Sequence, residues 1–228
     1  MATFVLVHGA WGGSWGYAPL ARELRAAGHE VHVPSLTGLG ERAHLAHGGI
    51  TLTDHINDVV GLIDCEDLSD FILVGHSYGG MVITGVSALR GKKISSLVYL
   101  DAFLPQDGQM LWDLADDETR KLYIENQRST PGLVAPIFPM PEGRTARVSG
   151  HPLLTLTEAV KLGGEENEIG RRVYVYANAS PLTIFGQFRN RIIDDPAWEL
   201  REVATGHMVW DEDLPAVTRI LLDEAAHF

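Results

Sequence analysis

Cysteine is nearly absent. Cys65 stands alone, so no internal disulfide can form, and a lone thiol fits a reducing cytoplasm. Its place in a predicted helix assigns it to buried packing rather than to reactive chemistry. Long apolar runs are also lacking: no stretch approaches the roughly eighteen residues that a membrane span needs, so no membrane partner is expected. The first apolar segment, Thr3–Val7, runs straight into a glycine turn and reads as a core strand rather than a leader peptide. Clusters of Lys and Arg are missing, and 30 acidic residues against 18 basic ones give a net charge of −12. That balance argues against binding to a nucleic-acid backbone. No pair of histidines has the spacing and helical context of a zinc-binding HExxH site, so no metal is expected. There is no internal repeat and no low-complexity run. These absences leave a globular chain whose natural partner is a neutral or apolar small molecule.

What is present is a regular alternation. In 228 residues, apolar strands predicted at 3–7, 30–33, 71–74, 95–100, 172–177 and 198–203 are separated by helical patterns. The helices fall at 14–27, 54–64, 81–90, 182–193 and 214–226, with Ser14 expected to cap the first and Gly28 to end it. Ile56, Val59, Val60 and Ile63 mark the buried stripe of the second. Such alternation specifies a parallel sheet covered on both faces, an α/β fold. The rhythm breaks only over 105–170, where amphipathic stretches at 110–127 and 153–162 flank a proline-rich passage. That excursion is too long for a plain connection and reads as a mainly helical cap, inserted into a core of residues 1–104 and 171–228.

The sequence between the third strand and its helix is Gly75-His76-Ser77-Tyr78-Gly79-Gly80. A strand–turn–helix with Gly-x-Ser-x-Gly forces the serine into a strained turn and presents its hydroxyl at the carboxyl edge of the sheet. A hydroxyl needs a base to become a nucleophile. Loops that follow parallel strands share one edge, so the base should come from another such loop. Of ten histidines, His207 follows the last predicted strand and a flexible Gly206. His76 reads as support for the turn, and His44, His47 and His55 as facing solvent or the cap. An oxyanion needs two N–H donors. Tyr78, at the helix start, supplies one. The loop His8-Gly9-Ala10-Trp11 supplies the other through Ala10, with Gly9 permitting the close approach.

His8-Gly9-Ala10-Trp11, Gly75 to Gly80 and Gly206-His207-Met208 together resemble the α/β-hydrolase superfamily, in the branch of plant methyl esterases, hydroxynitrile lyases and bacterial pyrethroid hydrolases. The likeness spans the sheet and is weaker in the cap. It implies Ser77 as nucleophile, His207 as base, Ala10 and Tyr78 as oxyanion donors, and no cofactor. The lyases of the branch carry threonine at the place of Gly9, glutamate at that of His76 and lysine at that of Met208; this chain's residues favour ester hydrolysis. One departure stands out. The family's usual acid follows the penultimate strand, but here Asn178-Ala179-Ser180-Pro181 holds no carboxylate. Asp101, after the strand that follows the turn helix, is the expected substitute, with Asn178 or Ser180 as the fallback. Asp194 and Asp195 read as surface residues.

For a substrate pocket the candidates are Trp11, Phe103, Leu104 and Trp112, with Leu114, Phe138, Met140 and Met208 beside them. The expected activity is serine-dependent hydrolysis of a small, largely apolar carboxylic ester. Thioester, lactone, carbamate or carbon–carbon cleavage on the same scaffold stays open, as does a receptor-like binding protein with a vestigial triad. No oligomeric state can be read.

Overall fold

A computed structural model describes residues 1–138 and 147–228. The chain order begins β1 (Thr3–Val7), α1 (Ala18–Ala26), β2 (Glu30–His32), α2 (Leu52–Cys65), β3 (Phe71–His76), α3 (Gly79–Arg90) and β4 (Ile94–Leu100). After the excursion come β7 (Arg172–Ala177), α7 (Gly186–Ile192), β8 (Glu199–Val203), α8 (Val209–Glu212) and α9 (Leu214–Ala225). Six strands form one sheet in the order β2-β1-β3-β4-β7-β8, and every described pairing in it is parallel.

Strand side chains alternate between two cores. Val5, Val7, Leu73 and Tyr99 pack with α2, α3 and cap residues, whereas Phe4, Leu6, Val74 and Val98 pack against Leu20, Leu24, Val217 and Leu221 of α1 and α9. Burial on both faces is why the strands read as continuous apolar runs rather than alternating ones. Each large side chain so buried contributes about 1.5–3 kcal/mol, enough for the sheet to carry strained turns at its edge.

The topology places those turns together. The chain leaves β1 for β2 on one side, then returns to β3 on the other, so the loops after β1 and β3 diverge from a topological switch point. Crevices of this kind, beyond the carboxyl ends of the strands, are where open α/β sheets bind ligands.

Between β4 and β7 lie α4 (Leu111–Leu114), α5 (Asp117–Glu125), β5 (Leu133–Val134), β6 (His151–Pro152) and α6 (Leu154–Thr157). Of the amphipathic stretch at 153–162, only this last single turn is helical. β5 and β6 pair antiparallel, with Val134 opposite His151. Strands of two residues are too short for periodicity to register. The excursion is tied to the core at α2, where the Glu158 carboxylate accepts from the Thr53 N–H at 2.7 Å and the Thr53 hydroxyl at 2.8 Å. A carboxylate in the first turn of a helix also meets the positive end of its dipole.

Two local readings are corrected. Ser14 does not cap α1: it starts a separate 3-10 turn, Ser14–Tyr17, and its hydroxyl bonds Glu41. Cys65 is exposed, not core filler. Two positions beyond Ile63 it lies about 200° round the helix from the buried stripe. Of the two positions expected for His55, solvent or cap, it takes the second: it is fully buried, against the cap's His151.

Candidate active site

Ser77 occupies the turn between β3 and α3 with φ +54°, a conformation that few non-glycine residues adopt. Two other residues of this edge, Trp11 at φ +60° and Asp101 at +41°, share it. Strained backbone of this kind costs on the order of 1–3 kcal/mol per residue and persists only where the surroundings fix it. The Ser77 carbonyl accepts from Phe103 N–H at 3.0 Å, and Gly80 N–H returns to the same oxygen at 3.0 Å. The turn also lies hard against β1: a Cβ on Gly79 would come within 2.5 Å of the Val7 carbonyl oxygen.

The loop after β1 approaches just as closely. A Cβ on Gly9 would stand 2.9 Å from Cβ of Ser77, so only glycine lets Ala10 sit beside the serine. Ala10, Ser77 and Tyr78 then line one wall together.

His207 follows β8, and its Nδ1 meets Oδ2 of Asp101 at 2.7 Å. Asp101 lies at the end of β4, one strand from β3. It is fully buried, its N–H donates to the Val175 carbonyl at 2.8 Å, and its second oxygen accepts from Ala177 N–H at 3.2 Å. The carboxylate is thus held from two sides and faces the imidazole with its free oxygen. Neither fallback residue takes that place: the Asn178 amide bonds Glu202, and the Ser180 hydroxyl accepts from Leu182 N–H. Burial works against charge on both partners, pushing the Asp101 carboxyl up and the His207 imidazole down from their ordinary ranges. The neutral imidazole that results can accept a proton through Nε2.

Three neighbours that the sequence reading left without a role, or only as support, fix this ring. Phe185 stacks on it at 4.7 Å between centroids, and the His76 ring lies tilted against it at 4.5 Å. His76 Nε2–H also donates to the His207 carbonyl at 2.9 Å. Glu212 of α8 accepts the Gly206 N–H at 2.7 Å and anchors the loop one residue earlier. Position next to the serine pointed to His76; nothing local in the sequence marks Phe185 or Glu212.

Two cavities meet at Ser77 and His207. One, of about 400 Å³, is walled largely by rings and apolar side chains, among them Trp11, Trp15, Tyr17, Met208 and Trp210. The other, of about 290 Å³, reaches Phe103 and Tyr123 and has a polar edge in Asp116, Glu118 and Thr119. Phe138 and Leu182 border both. Of the predicted pocket residues, Trp11, Phe103, Phe138 and Met208 line these spaces. Leu104 and Leu114 are buried in the core instead, and Trp112 packs toward Tyr123 with ring centroids 6.4 Å apart. Met140 lies outside the described residues. Among the described residues no cluster of His, Cys, Asp and Glu has the arrangement to hold a metal ion. No helix of the described residues is long and apolar enough to cross a membrane.

The arrangement therefore brings a hydroxyl and an imidazole backed by a carboxylate to the place where the two cavities meet. Comparison with known proteins agrees. The chain is 40% identical to a carbendazim hydrolyzing esterase of Nocardioides sp. over 226 residues, covering 92% of this chain and 93% of the relative. It is 33% identical to a pyrethroid hydrolase of Sphingobium wenxiniae over 142 residues, 61% of this chain and 48% of that one. Among solved structures, an extracellular alpha/beta-hydrolase from a Paenibacillus species superposes with a TM-score of 0.83 at 27% identity, covering 98% of both chains. The profile of the alpha/beta hydrolase family matches residues 4–227, and on that match and the identity to the Nocardioides esterase this chain belongs to the alpha/beta hydrolase family.

Proposed function

We propose that the protein is a serine esterase that cleaves a small, largely apolar carboxylic ester through an acyl-enzyme. The observation that carries this reading is the 2.7 Å contact between His207 Nδ1 and Asp101, made at the rim of the cavities that Ser77 enters from its strained turn. Ser77 Oγ attacks the ester carbonyl while His207 Nε2 takes its proton. Asp101 holds Nδ1–H, fixing the tautomer and stabilising the imidazolium as it forms. The oxyanion is met by the N–H groups of Ala10 and Tyr78, each worth about 3 kcal/mol where such donors have been removed from other enzymes. His207 then protonates the departing alcohol. A water molecule, deprotonated by the same ring, attacks the acyl-enzyme, and Ser77 leaves with its proton restored. The reaction so written uses side chains, backbone and water alone.

The two cavities suit the two halves of an ester divided at the scissile bond. The ring-walled space favours a flat or branched apolar group; the smaller space, with its acidic edge, tolerates polar atoms at its far end. Because relatives are named for hydrolysing carbendazim and pyrethroids, those compounds head the panel to offer this chain, followed by methyl, aryl and bulky-alcohol esters. The receptor-like alternative drew its support from the missing acid after β7; the Asp101–His207 contact supports the esterase reading instead. The lone cysteine keeps a reducing cytoplasm as the proposed compartment.

The test is a burst of nitrophenol from a short-chain nitrophenyl ester, followed by steady turnover, with both lost in Ser77→Ala. Absence of turnover in the wild-type protein, across the panel, overturns the reading.

A further inference from the structure

The cap's His151 is fully buried and belongs to no part of the reaction just described. Its hydrogen bonds determine its tautomer. The Thr155 hydroxyl has one proton, which goes to the Pro152 carbonyl at 2.7 Å, because a carbonyl cannot donate. The same hydroxyl lies 2.7 Å from His151 Nε2 and must accept from it. Nδ1 is then a bare lone pair, and the backbone N–H of Trp11 points at it from a long 3.5 Å. Trp11 is held a second time by the same rung of the ribbon: its indole N–H donates to the Val134 carbonyl at 2.8 Å, and Val134 is the residue paired with His151. A bulky residue at φ +60° needs such outside support.

His8 treats the preceding peptide in the same way. Its Nε2 accepts from Leu36 N–H at 3.1 Å, so Nδ1 carries the proton and donates to the Gly9 carbonyl at 2.8 Å. In a trans peptide the carbonyl and the following N–H point in opposite directions. Pinning the Gly9 carbonyl on His8 therefore aims the Ala10 N–H the other way. His151 pins the next plane, between Ala10 and Trp11. With both planes fixed, φ and ψ of Ala10 are fixed. His151 also touches the second donor residue: its ring lies edge-on to the Tyr78 ring at 4.6 Å, while the Tyr78 hydroxyl donates to Nδ1 of His55 at 2.8 Å.

We propose that His151 is a positioning residue: from the cap ribbon it locks the backbone on either side of the site that Ala10 and Tyr78 present to the oxyanion. The cap would then be part of the catalytic frame as well as a wall for the substrate. The proposal rests on the esterase reading, through the donor roles given to Ala10 and Tyr78.

The test compares three substitutions with a nitrophenyl ester. Asn carries an acceptor where Nδ1 stands, whereas Gln carries its amide where Nε2 stands and Phe carries no acceptor. His151→Phe and His151→Gln should each lower kcat about 10- to 100-fold, less than outright loss of a donor, with KM changed less than about threefold. Their affinity for an alkyl boronic acid, which forms a tetrahedral adduct at the serine, should fall in parallel, while affinity for an unreactive amide analogue of the substrate holds. His151→Asn should recover most of the loss. Equal kcat in all variants overturns the proposal, as does parallel loss of amide and boronate binding, or an Asn variant no better than Gln. If His151→Phe does not fold, the Asn-against-Gln contrast still decides. An inactive wild-type enzyme would sink the esterase reading instead, whereas an active one with unaffected variants sinks this inference alone.

Discussion

The two sides of the cleft are held in place by different means. On the sheet side, Ser77, Asp101 and the Ala10 loop sit within two residues or so of a strand end, and the hydrogen-bonded register of β1, β3 and β4 brings them together. On the cap side, short segments are positioned by single side chains reaching across the sequence: Trp11 to Val134, Trp11 to His151, Thr53 to Glu158. A register is over-determined, because one lost bond is backed by its neighbours; a side-chain strut is not. The sheet side should therefore behave as all-or-none for the chemistry, and the cap side as a graded control of aim and fit.

Substitutions at the sheet edge test the first half of that comparison. Asp101→Asn leaves the packing nearly isosteric but lets His207 take the wrong tautomer, so kcat should fall about 10⁴-fold. Alanine at Asn178 or Ser180, by contrast, should leave kcat within about twofold of wild type in the same steady-state assay. A smaller loss, about 10²-fold, is expected for Gly9→Ala: the new methyl, 2.9 Å from Ser77 Cβ, forces the loop away and displaces one donor. If Gly9→Ala is fully active, the loop is not the rigid element that the comparison requires.

On the cap side the expected effects are milder. Phe138 borders both cavities yet is 39% exposed, so Phe138→Ala should raise KM several-fold and lower kcat less than about threefold. A collapse of kcat in that variant would erase the distinction between the two sides.

The buried histidines give a pH signature that spans both. Burial lowers His8 to about 4 and pushes His55, His76, His151 and His207 down as well. The unfolded chain takes up protons near 6.5 while the folded one refuses them, so stability is fully present above pH 6.5 and falls as pH drops below it. Each such histidine contributes a slope of up to about 1.4 kcal/mol per pH unit. The buried Asp101 carboxyl, raised by burial, works in the opposite direction but is one group against five. Thermal melts should show Tm declining steadily from pH 7 to 5; a flat profile would contradict buried neutral histidines.

Far from the cleft, Glu224 is 1% exposed and held by Arg171 at 2.6 Å and Ser96 at 3.0 Å. Glu224→Gln should cost about 2 kcal/mol in urea unfolding, below the 3–5 of a fully buried pair because Arg171 is partly solvated, and leave kcat/KM untouched.

The same division separates what could be read in the sequence from what could not. β1 and β7 were legible to the residue because a strand buried on both faces reads as a nearly continuous apolar run, here Phe4–Val7 and Val173–Ala177, and Ser77 was legible because its turn imposes glycines at fixed offsets. Asp101 was reachable through the family resemblance rather than from any local motif: the usual acid is missing after β7, and the end of β4 is the other strand end that could carry one. The β5–β6 ribbon, Phe185 and Glu212 left no local trace, since each acts through a contact with a distant segment. Leu104, Leu114 and Trp112 show the same limit from the other side, for an apolar side chain near a cleft can turn into the core as easily as toward the substrate. Cys65 differs: its angle from Ile63 was there to be counted, and helical membership alone was the wrong criterion.

The most direct test of the central claim is the mass of the protein after exposure to a reactive organophosphate. One covalent phosphoryl group per chain is expected, on the peptide carrying Ser77, together with loss of esterase activity and no adduct in Ser77→Ala. Labelling at another residue, or esterase turnover that survives Ser77→Ala, would contradict it.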